Sequence, residues 1–124
     1  AGALLLPSGV TAVVCASDRM ALGVIRAVRE RGRSVPRDVS VVGFDDAGPN
    51  PFYDPPLTSV QQPFEAMSSA VVQLLTAQIA DAEAATPELT FRPELVVRGS
   101  TAPAPAVGDA RDGAAEAGAT TRRH

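Results

Sequence analysis

The sequence predicts an α/β fold with a parallel sheet and flanking helices. Two continuous apolar runs, residues 11–16 and 39–44, enclose a segment in which apolar residues recur at helical spacing. Continuous apolarity, rather than alternation, is typical of parallel strands that are covered on both faces. Strand, helix and strand at these lengths indicate a βαβ unit.

The helix of this unit has recognisable ends. Ser17 suits the N-cap, and Asp18 lies in the first turn, near the positive end of the helix dipole. Gly32 suits the position just after the helix, and Pro36 prevents its continuation. The residues that predict its buried face are Met20, Ala21, Val24, Ile25 and Val28.

The second half of the chain predicts shorter elements. A proline-rich loop at 47–57 precedes a strand at 57–61, and Pro63 begins a second helix. Two final strands are expected at 89–91 and 95–97. The apolar stripe of the second helix is expected to comprise Phe64, Met67, Val71, Leu74, Leu75 and Ile79.

The two termini carry separate expectations. Residues 1–6 resemble the last turns of a helix, so we expect the native chain to extend upstream. Residues 102–124 contain almost no large apolar side chains and are expected to form a disordered tail.

Composition narrows the function classes. The chain has 124 residues, enough for one modest domain, with 11 Lys and Arg against 14 Asp and Glu. A net charge of −3 argues against direct binding of nucleic acid. Cys15 is the only cysteine and is expected to be a small buried residue. These features favour the cytoplasm, and no apolar run is long enough to span a membrane.

Polar residues follow both predicted strands of the βαβ unit. Ser17 and Asp18 come after the first strand, and Asp45 and Asp46 end the second. Because ligands of parallel sheets bind beyond the carboxyl ends of the strands, both groups are expected at one ligand-binding edge. Carboxylates there suit the hydroxyls of a sugar or ribose. The alternative is that Asp18 serves only the helix dipole and Asp46 only begins a turn.

Catalysis is poorly supported by the sequence. The only histidine is His124, at the end of the expected tail, so a Ser-His-Asp or Cys-His arrangement is not expected. Asp45 and Asp46 are adjacent and would point to opposite faces of a strand, so they would not converge on one bond as a paired acid and base. The chain has no Cys/His cluster and no glycine-rich phosphate loop. We therefore expect no catalytic site, no metal site and no cofactor.

Four segments together resemble the LacI/GalR regulators. ASDRMALG at 16–23 is similar to their A-[NS]-D-x-x-A-x-G element, and VPRDVSVVGFDD at 35–46 is similar to the element that ends in G-[FY]-[DN]-[DN]. PLTSVQQP at 56–63 and PELVVRGST at 93–101 resemble two later elements of the family. The four occur in the family's order and cover roughly residues 10–101.

The resemblance implies a partial periplasmic-binding-protein-like, Rossmann-like fold with incomplete lobes. Residues 1–101 would be the C-terminal portion of an effector-binding domain whose DNA-binding head is absent. The implied function is sensing of a sugar or other small polar effector by a transcription regulator, with operator DNA contacted only through the missing head. The alternative is a periplasmic sugar-binding receptor of a transport system.

The resemblance also implies roles for individual residues. The family's effector-binding positions fall on Asp45 and Ser17. Gln62 and Phe64 fall near the crossing between lobes and the cleft, so the resemblance implies that they too contact the ligand. Ser17 is shorter than the Asn that many members carry, so it reaches fewer partners. Leu22 and Tyr53 fall on the family's homodimer face, with ordinary core or loop packing as the alternative.

Overall fold

The computed structural model describes residues 9–81 and 87–104. Within them, the sheet contains β1 (Ala12–Val14), β2 (Ser40–Asp45), β3 (Thr58–Gln61) and β4 (Glu94–Val96), side by side in chain order. The helices are α1 (Asp18–Glu30) and α2 (Phe64–Ala80), and a 3-10 turn spans Asn50–Phe52. The first three strands are parallel, and β4 runs antiparallel to β3.

This architecture confirms the predicted α/β fold, with two differences in the strands. The last strand runs against the others, so the sheet is mixed. The prediction of a strand at 89–91 is wrong, because these residues form no strand and Leu89 is exposed. They lie between Pro87 and Pro93, which cannot donate backbone hydrogen bonds to a sheet. The helix expected at 1–6 lies outside the described residues, as does the expected tail beyond residue 104.

Both ends of α1 are held as the sequence predicts. Ser17 is the N-cap, and its hydroxyl oxygen accepts a hydrogen bond from the Met20 N–H at 3.3 Å. At the other end, Gly32 has φ +71° and donates to the Arg29 carbonyl. The Arg33 N–H donates to the Val28 carbonyl, which completes a Schellman end. The chain therefore turns back sharply toward β2.

The core lies between α1 and one face of the sheet. Ala21, Val24, Ile25 and Val28 of α1 are buried, whereas Met20 is 58% exposed despite its place in the predicted face. The opposite face of the sheet is only partly covered by the described residues, since Val14 is 75% exposed and Val42 and Phe44 are half-buried. The remaining core residues are Cys15, Val39, Val41 and Leu57.

Helix α2 forms where it was expected, but it has no buried residue. Most of its predicted apolar stripe is exposed, with Val71 54% and Ile79 87% exposed, while Met67 and Leu74 are half-buried. The stripe was expected to bury itself, because amphipathic helices gain most of their stability by covering a core. No element of the described part of the chain covers it. Neither α2 nor α1 is long and apolar enough to cross a membrane, within the residues described.

The segment after β4 closes the sheet. The Ser100 hydroxyl donates to the Val41 carbonyl at 2.6 Å and accepts from the Thr58 N–H at 2.8 Å. The Ser100 carbonyl in turn accepts from the Val41 N–H. Ser100 is fully buried, so it binds β2 and the start of β3 together.

Candidate functional site

The ends of the three parallel strands meet at one edge of the sheet. Ser17 follows β1, Asp45 ends β2, and Gln62 follows β3. Because β1 pairs with β2 and β2 with β3 in parallel, these three residues share the carboxyl edge. The predicted placement of Ser17 and Asp45 on one edge is therefore confirmed.

Asp45 is half-buried, and one of its two carboxylate oxygens is bonded. Its Oδ1 accepts a hydrogen bond from Gln62 Nε2 at 2.7 Å, while Oδ2 accepts none from the described residues. The backbone of Asp45 has φ +96°, an unusual value for a residue other than glycine. Such conformations are held by their surroundings and cluster at binding sites.

Ser17 is also half-buried at this edge. Its oxygen caps α1, but a hydroxyl can both accept and donate, so the cap does not consume its proton. Ser17 can therefore offer a hydrogen-bond donor beyond the edge while it holds the helix.

Asp18 has its carboxylate directed into the protein. Its Oδ1 accepts from the Ser59 hydroxyl at 2.5 Å, and its Oδ2 accepts from Asn50 Nδ2 at 2.8 Å. The residue is only 9% exposed and lies against Gly43, where a side chain would collide with it. Through these hydrogen bonds, Asp18 joins α1 to β3 and to the 3-10 turn.

Asp46 forms a second buried link, with Arg98. Arg98 Nη1 and Nη2 donate to Asp46 Oδ1 and Oδ2 at 2.7 and 2.8 Å, a two-pronged ion pair. The hydrogen bonds from Arg98, assisted by one from Asn50 Nδ2, hold the pKa of the Asp46 carboxyl below its usual range. The side chain of Asp46 is only 4% exposed. Asp46 thus faces inward, whereas Asp45 faces Gln62.

Gln62 and Phe64 lie where the chain leaves β3 and enters α2. Both line an open cavity of about 450 Å³ together with Gln61, Pro63, Glu65 and Ala66. Phe64 is 43% exposed, so its ring is available to an apolar surface. Neither Ser17 nor Asp45 lines this cavity, although Gln62 connects it to Asp45 through their hydrogen bond.

Leu22 and Tyr53 come together on the other side of α1. Both are half-buried against the core, which is the packing that the sequence left as the alternative. They also line a groove of about 300 Å³, whose walls include Ile25, Arg29 and Asp54. Arg29 Nη2 donates to Asp54 Oδ2 at 3.0 Å across this groove.

Sequence reasoning missed three residues that build the edge: Asn50, Ser59 and Arg98. Asn50 is fully buried and bridges Asp18 and Asp46. Ser59 and Arg98 lie in the PLTSVQQP and PELVVRGST segments, which resemble elements of the LacI/GalR regulators. That resemblance did not indicate a role for either residue. Nothing in the sequence marked Asn50.

Two further kinds of site find no support in the described residues. No three His, Cys, Asp or Glu side chains converge there as a metal-binding group. Cys15 is 5% exposed, as expected, and burial raises the pKa of its thiol. A buried, protonated thiol is a poor nucleophile.

Known proteins resemble this chain in sequence and fold. Residues 1–101 match the periplasmic binding protein-like domain. The chain is 56% identical over 105 residues to the HTH-type transcriptional regulator MalR of Streptomyces coelicolor, which covers 85% of this chain and 30% of that regulator.

Two solved structures are similar as well. A LacI-family transcriptional regulator from Enterococcus faecium with bound ribose is 32% identical, with a TM-score of 0.74 over 82% of this chain and 38% of that one. The lac repressor dimer bound to operator and the anti-inducer ONPF is 37% identical, with a TM-score of 0.65 over 73% of this chain and 32% of that one. The chain thus spans about a third of the length of these proteins.

Proposed function

Because the chain belongs to the periplasmic binding protein-like family, as the C-terminal effector-binding part of a LacI/GalR-type regulator, we propose that it senses a small polar effector, a sugar in the first instance. The observation that carries this proposal is the Asp45 carboxylate at the carboxyl edge. One of its oxygens is fixed by Gln62 and the other accepts nothing from the described residues. A charged acceptor placed this way suits a sugar hydroxyl.

The neighbouring residues extend the proposed site. Ser17 supplies a hydroxyl donor, Gln62 orients Asp45, and the half-exposed ring of Phe64 offers an apolar surface to the carbon face of a sugar. Asp18 supports the site from within, since both of its oxygens are engaged by Asn50 and Ser59. The site on these residues is one wall of a cleft.

The path of the chain supports a link between effector binding at this wall and the relative orientation of two parts of the protein. The chain leaves the sheet after β3 at Gln62, passes through α2, and re-enters at β4 beside β3. An effector that contacts both the carboxyl edge of the sheet and the part of the protein that contains α2 favours one relative orientation of these two parts. It changes operator affinity by its difference in affinity for the orientations.

Homodimer formation is part of the proposal. The lac repressor, similar in structure to this chain, was solved as a dimer on its operator. The groove between Leu22 and Tyr53 offers half-buried apolar side chains with the Arg29–Asp54 pair at its rim. A dimer contact there would cover surface that the isolated chain exposes. Operator DNA is contacted by a DNA-binding head outside these residues, in the cytoplasm.

The other function classes are less supported. The relatives are named as transcription regulators rather than enzymes or transport receptors. The proposal therefore includes no catalytic step, and the periplasmic sugar receptor is not retained as an equal candidate.

Titration of the protein with sugars tests the proposal. Isothermal calorimetry with D-ribose, followed by a panel of neutral mono- and disaccharides, is expected to identify at least one that binds saturably. Binding of an operator fragment by the full-length regulator, which carries the DNA-binding head, is expected to differ with and without that sugar. Absence of binding across the panel, or binding that leaves operator affinity unchanged, would overturn the proposed sensing role.

A further inference from the structure

We propose that Arg98 is a positioning residue for the effector site: through Asp46, it holds the carboxylate of Asp45 in place. The inference rests on the proposed function of the carboxyl edge. It concerns a residue that does not reach the edge itself but fixes the backbone that does.

The first step is the rigidity of the Arg98–Asp46 pair. Arg98 donates from both terminal nitrogens to Asp46, and Nη1 also donates to the Leu57 carbonyl at 2.7 Å. Its own N–H donates to Thr58 Oγ1 at 2.9 Å. The guanidinium fork is planar, so these bonds fix the Asp46 carboxylate relative to the start of β3.

The second step is the backbone between Asp46 and Asp45. Both residues have positive φ, +50° for Asp46 and +96° for Asp45. Two consecutive non-glycine residues in this region persist only where their surroundings hold them. The side chain of Asp45 makes one hydrogen bond, to Gln62, whereas Asp46 is held by Arg98 and Asn50. Asp46 is therefore the anchor that keeps Asp45 in its conformation.

The third step extends the framework to the second edge residue. Asn50 Nδ2 donates to both Asp46 Oδ1 and Asp18 Oδ2, and Asp18 directly follows Ser17. Arg98 thus connects the segment after β4 to the ends of both β1 and β2. A shift of that segment would move the predicted effector contacts together.

Nuclear magnetic resonance of the Gln62 side-chain amide tests the inference without knowledge of the effector. The signal is assigned by its loss in Gln62→Glu, and it reports the hydrogen bond to Asp45 Oδ1. The test variant is Arg98→Lys, which keeps the charge and loses the fork. The control is Arg37→Lys, because the Arg37 side chain is 82% exposed and, among the described residues, pairs only with Asp38, just before the far end of β2. Asp46→Asn is a second test variant, because Asn tolerates positive φ.

In Arg98→Lys and Asp46→Asn, we expect the Gln62 side-chain amide signal to leave its wild-type position, while the backbone amide signals of α1 keep theirs because the helix stays folded. Arg37→Lys should leave the Gln62 signal unchanged. If D-ribose binds the wild type, calorimetry should show an affinity about tenfold lower in Arg98→Lys, with no change in Arg37→Lys.

A Gln62 signal that stays in place in both test variants, with only the melting temperature lowered, would show that the pair is merely structural and overturn the inference. If no sugar of the panel binds the wild type, the proposed function fails, and the Gln62 signal alone decides the role of Arg98. The two failures are therefore distinguishable.

Discussion

Gly43 of β2 lies directly beneath the carboxylate of Asp18 at the start of α1. A methyl group on Gly43 would overlap Asp18 Oδ1 and would stand 3.1 Å from Leu57 Cδ2. The missing side chain lets α1 approach the sheet closely enough for Asp18 to reach Ser59 on β3. Gly43 therefore determines how the helix that carries Ser17 sits on the strand that carries Asp45.

Gly43→Ala is expected to destabilise the protein by about 3 kcal/mol or more, because Asp18 must leave its buried hydrogen bonds. Gly23 is the matched control, since a methyl group there meets nothing within 4 Å. Gly23 lies inside α1, so Gly23→Ala should stabilise by about 1 kcal/mol. Urea unfolding of the two variants checks the opposite signs, and equal effects would contradict this account.

Asp45→Asn is expected to weaken effector binding by about 1–3 kcal/mol, because a charged acceptor is replaced by a neutral amide. Asn keeps the shape and tolerates the positive φ of Asp45, so the fold should persist. Asp38→Asn is the control, because Asp38 lies just before the opposite end of β2 and bonds the Ser34 N–H. Calorimetry with a sugar that binds the wild type makes the comparison; equal affinity in both variants would reject the role of Asp45.

Arg98→Met is expected to lower the free energy of unfolding by about 3–5 kcal/mol, since it leaves the Asp46 carboxylate buried without its cation. Arg37→Met, at an exposed ion pair, should change it by less than about 0.5 kcal/mol. Denaturant titration of both variants gives the two values. Similar losses would mean that the Arg98–Asp46 pair has no special weight.

Acid should destabilise the protein partly through Asp46. The folded-state pKa of Asp46 is lowered, chiefly by Arg98, so its contribution is present above the unfolded value of about 3.9 and is lost as pH falls through the lower folded value. Asp46→Asn should therefore lose less stability between neutral pH and strong acid. Asp38, whose pKa is lowered chiefly by the Ser34 N–H, leaves some acid sensitivity in both proteins. Identical pH profiles would contradict the assignment.

The isolated chain is expected to associate or to melt broadly, because α2 exposes an apolar stripe. Sedimentation velocity and thermal melting measure this. Replacing Val71 and Leu75 with Glu should reduce association. The control, Ser68→Glu and Ser69→Glu on the same helix, should reduce it less, because it adds equal charge without removing apolar surface. A monodisperse wild-type chain with a sharp, cooperative transition would refute the expectation.

The sequence was most informative where local chemistry decides the structure. The cap at Ser17, the end of α1 at Gly32 and the polar ends of β1 and β2 each follow from a residue's own preferences, and the structure confirms them. The βαβ order then brings Ser17 and Asp45 to one edge. These features needed no knowledge of distant contacts.

The features that were missed depend on distant parts of the chain. Arg98 meets Asp46 from 52 residues away, and Ser59 meets Asp18 from 41 residues away, so no local pattern could pair them. The exposure of α2 was missed for a related reason. A stripe of apolar residues predicts a buried face, but it does not state whether the covering element lies in the same stretch of chain.

Ser100 has a consequence for synthesis on the ribosome. The backbone groups of Val41 and Thr58 that it satisfies stay without this partner until nearly all of residues 9–101 have been translated. Arg98 emerges at almost the same moment, so Asp46 also waits for its cation. Both sets of contacts therefore form late, and ribosome-bound chains stalled before residue 98 should lack the Ser100 hydrogen bonds and the Arg98–Asp46 pair.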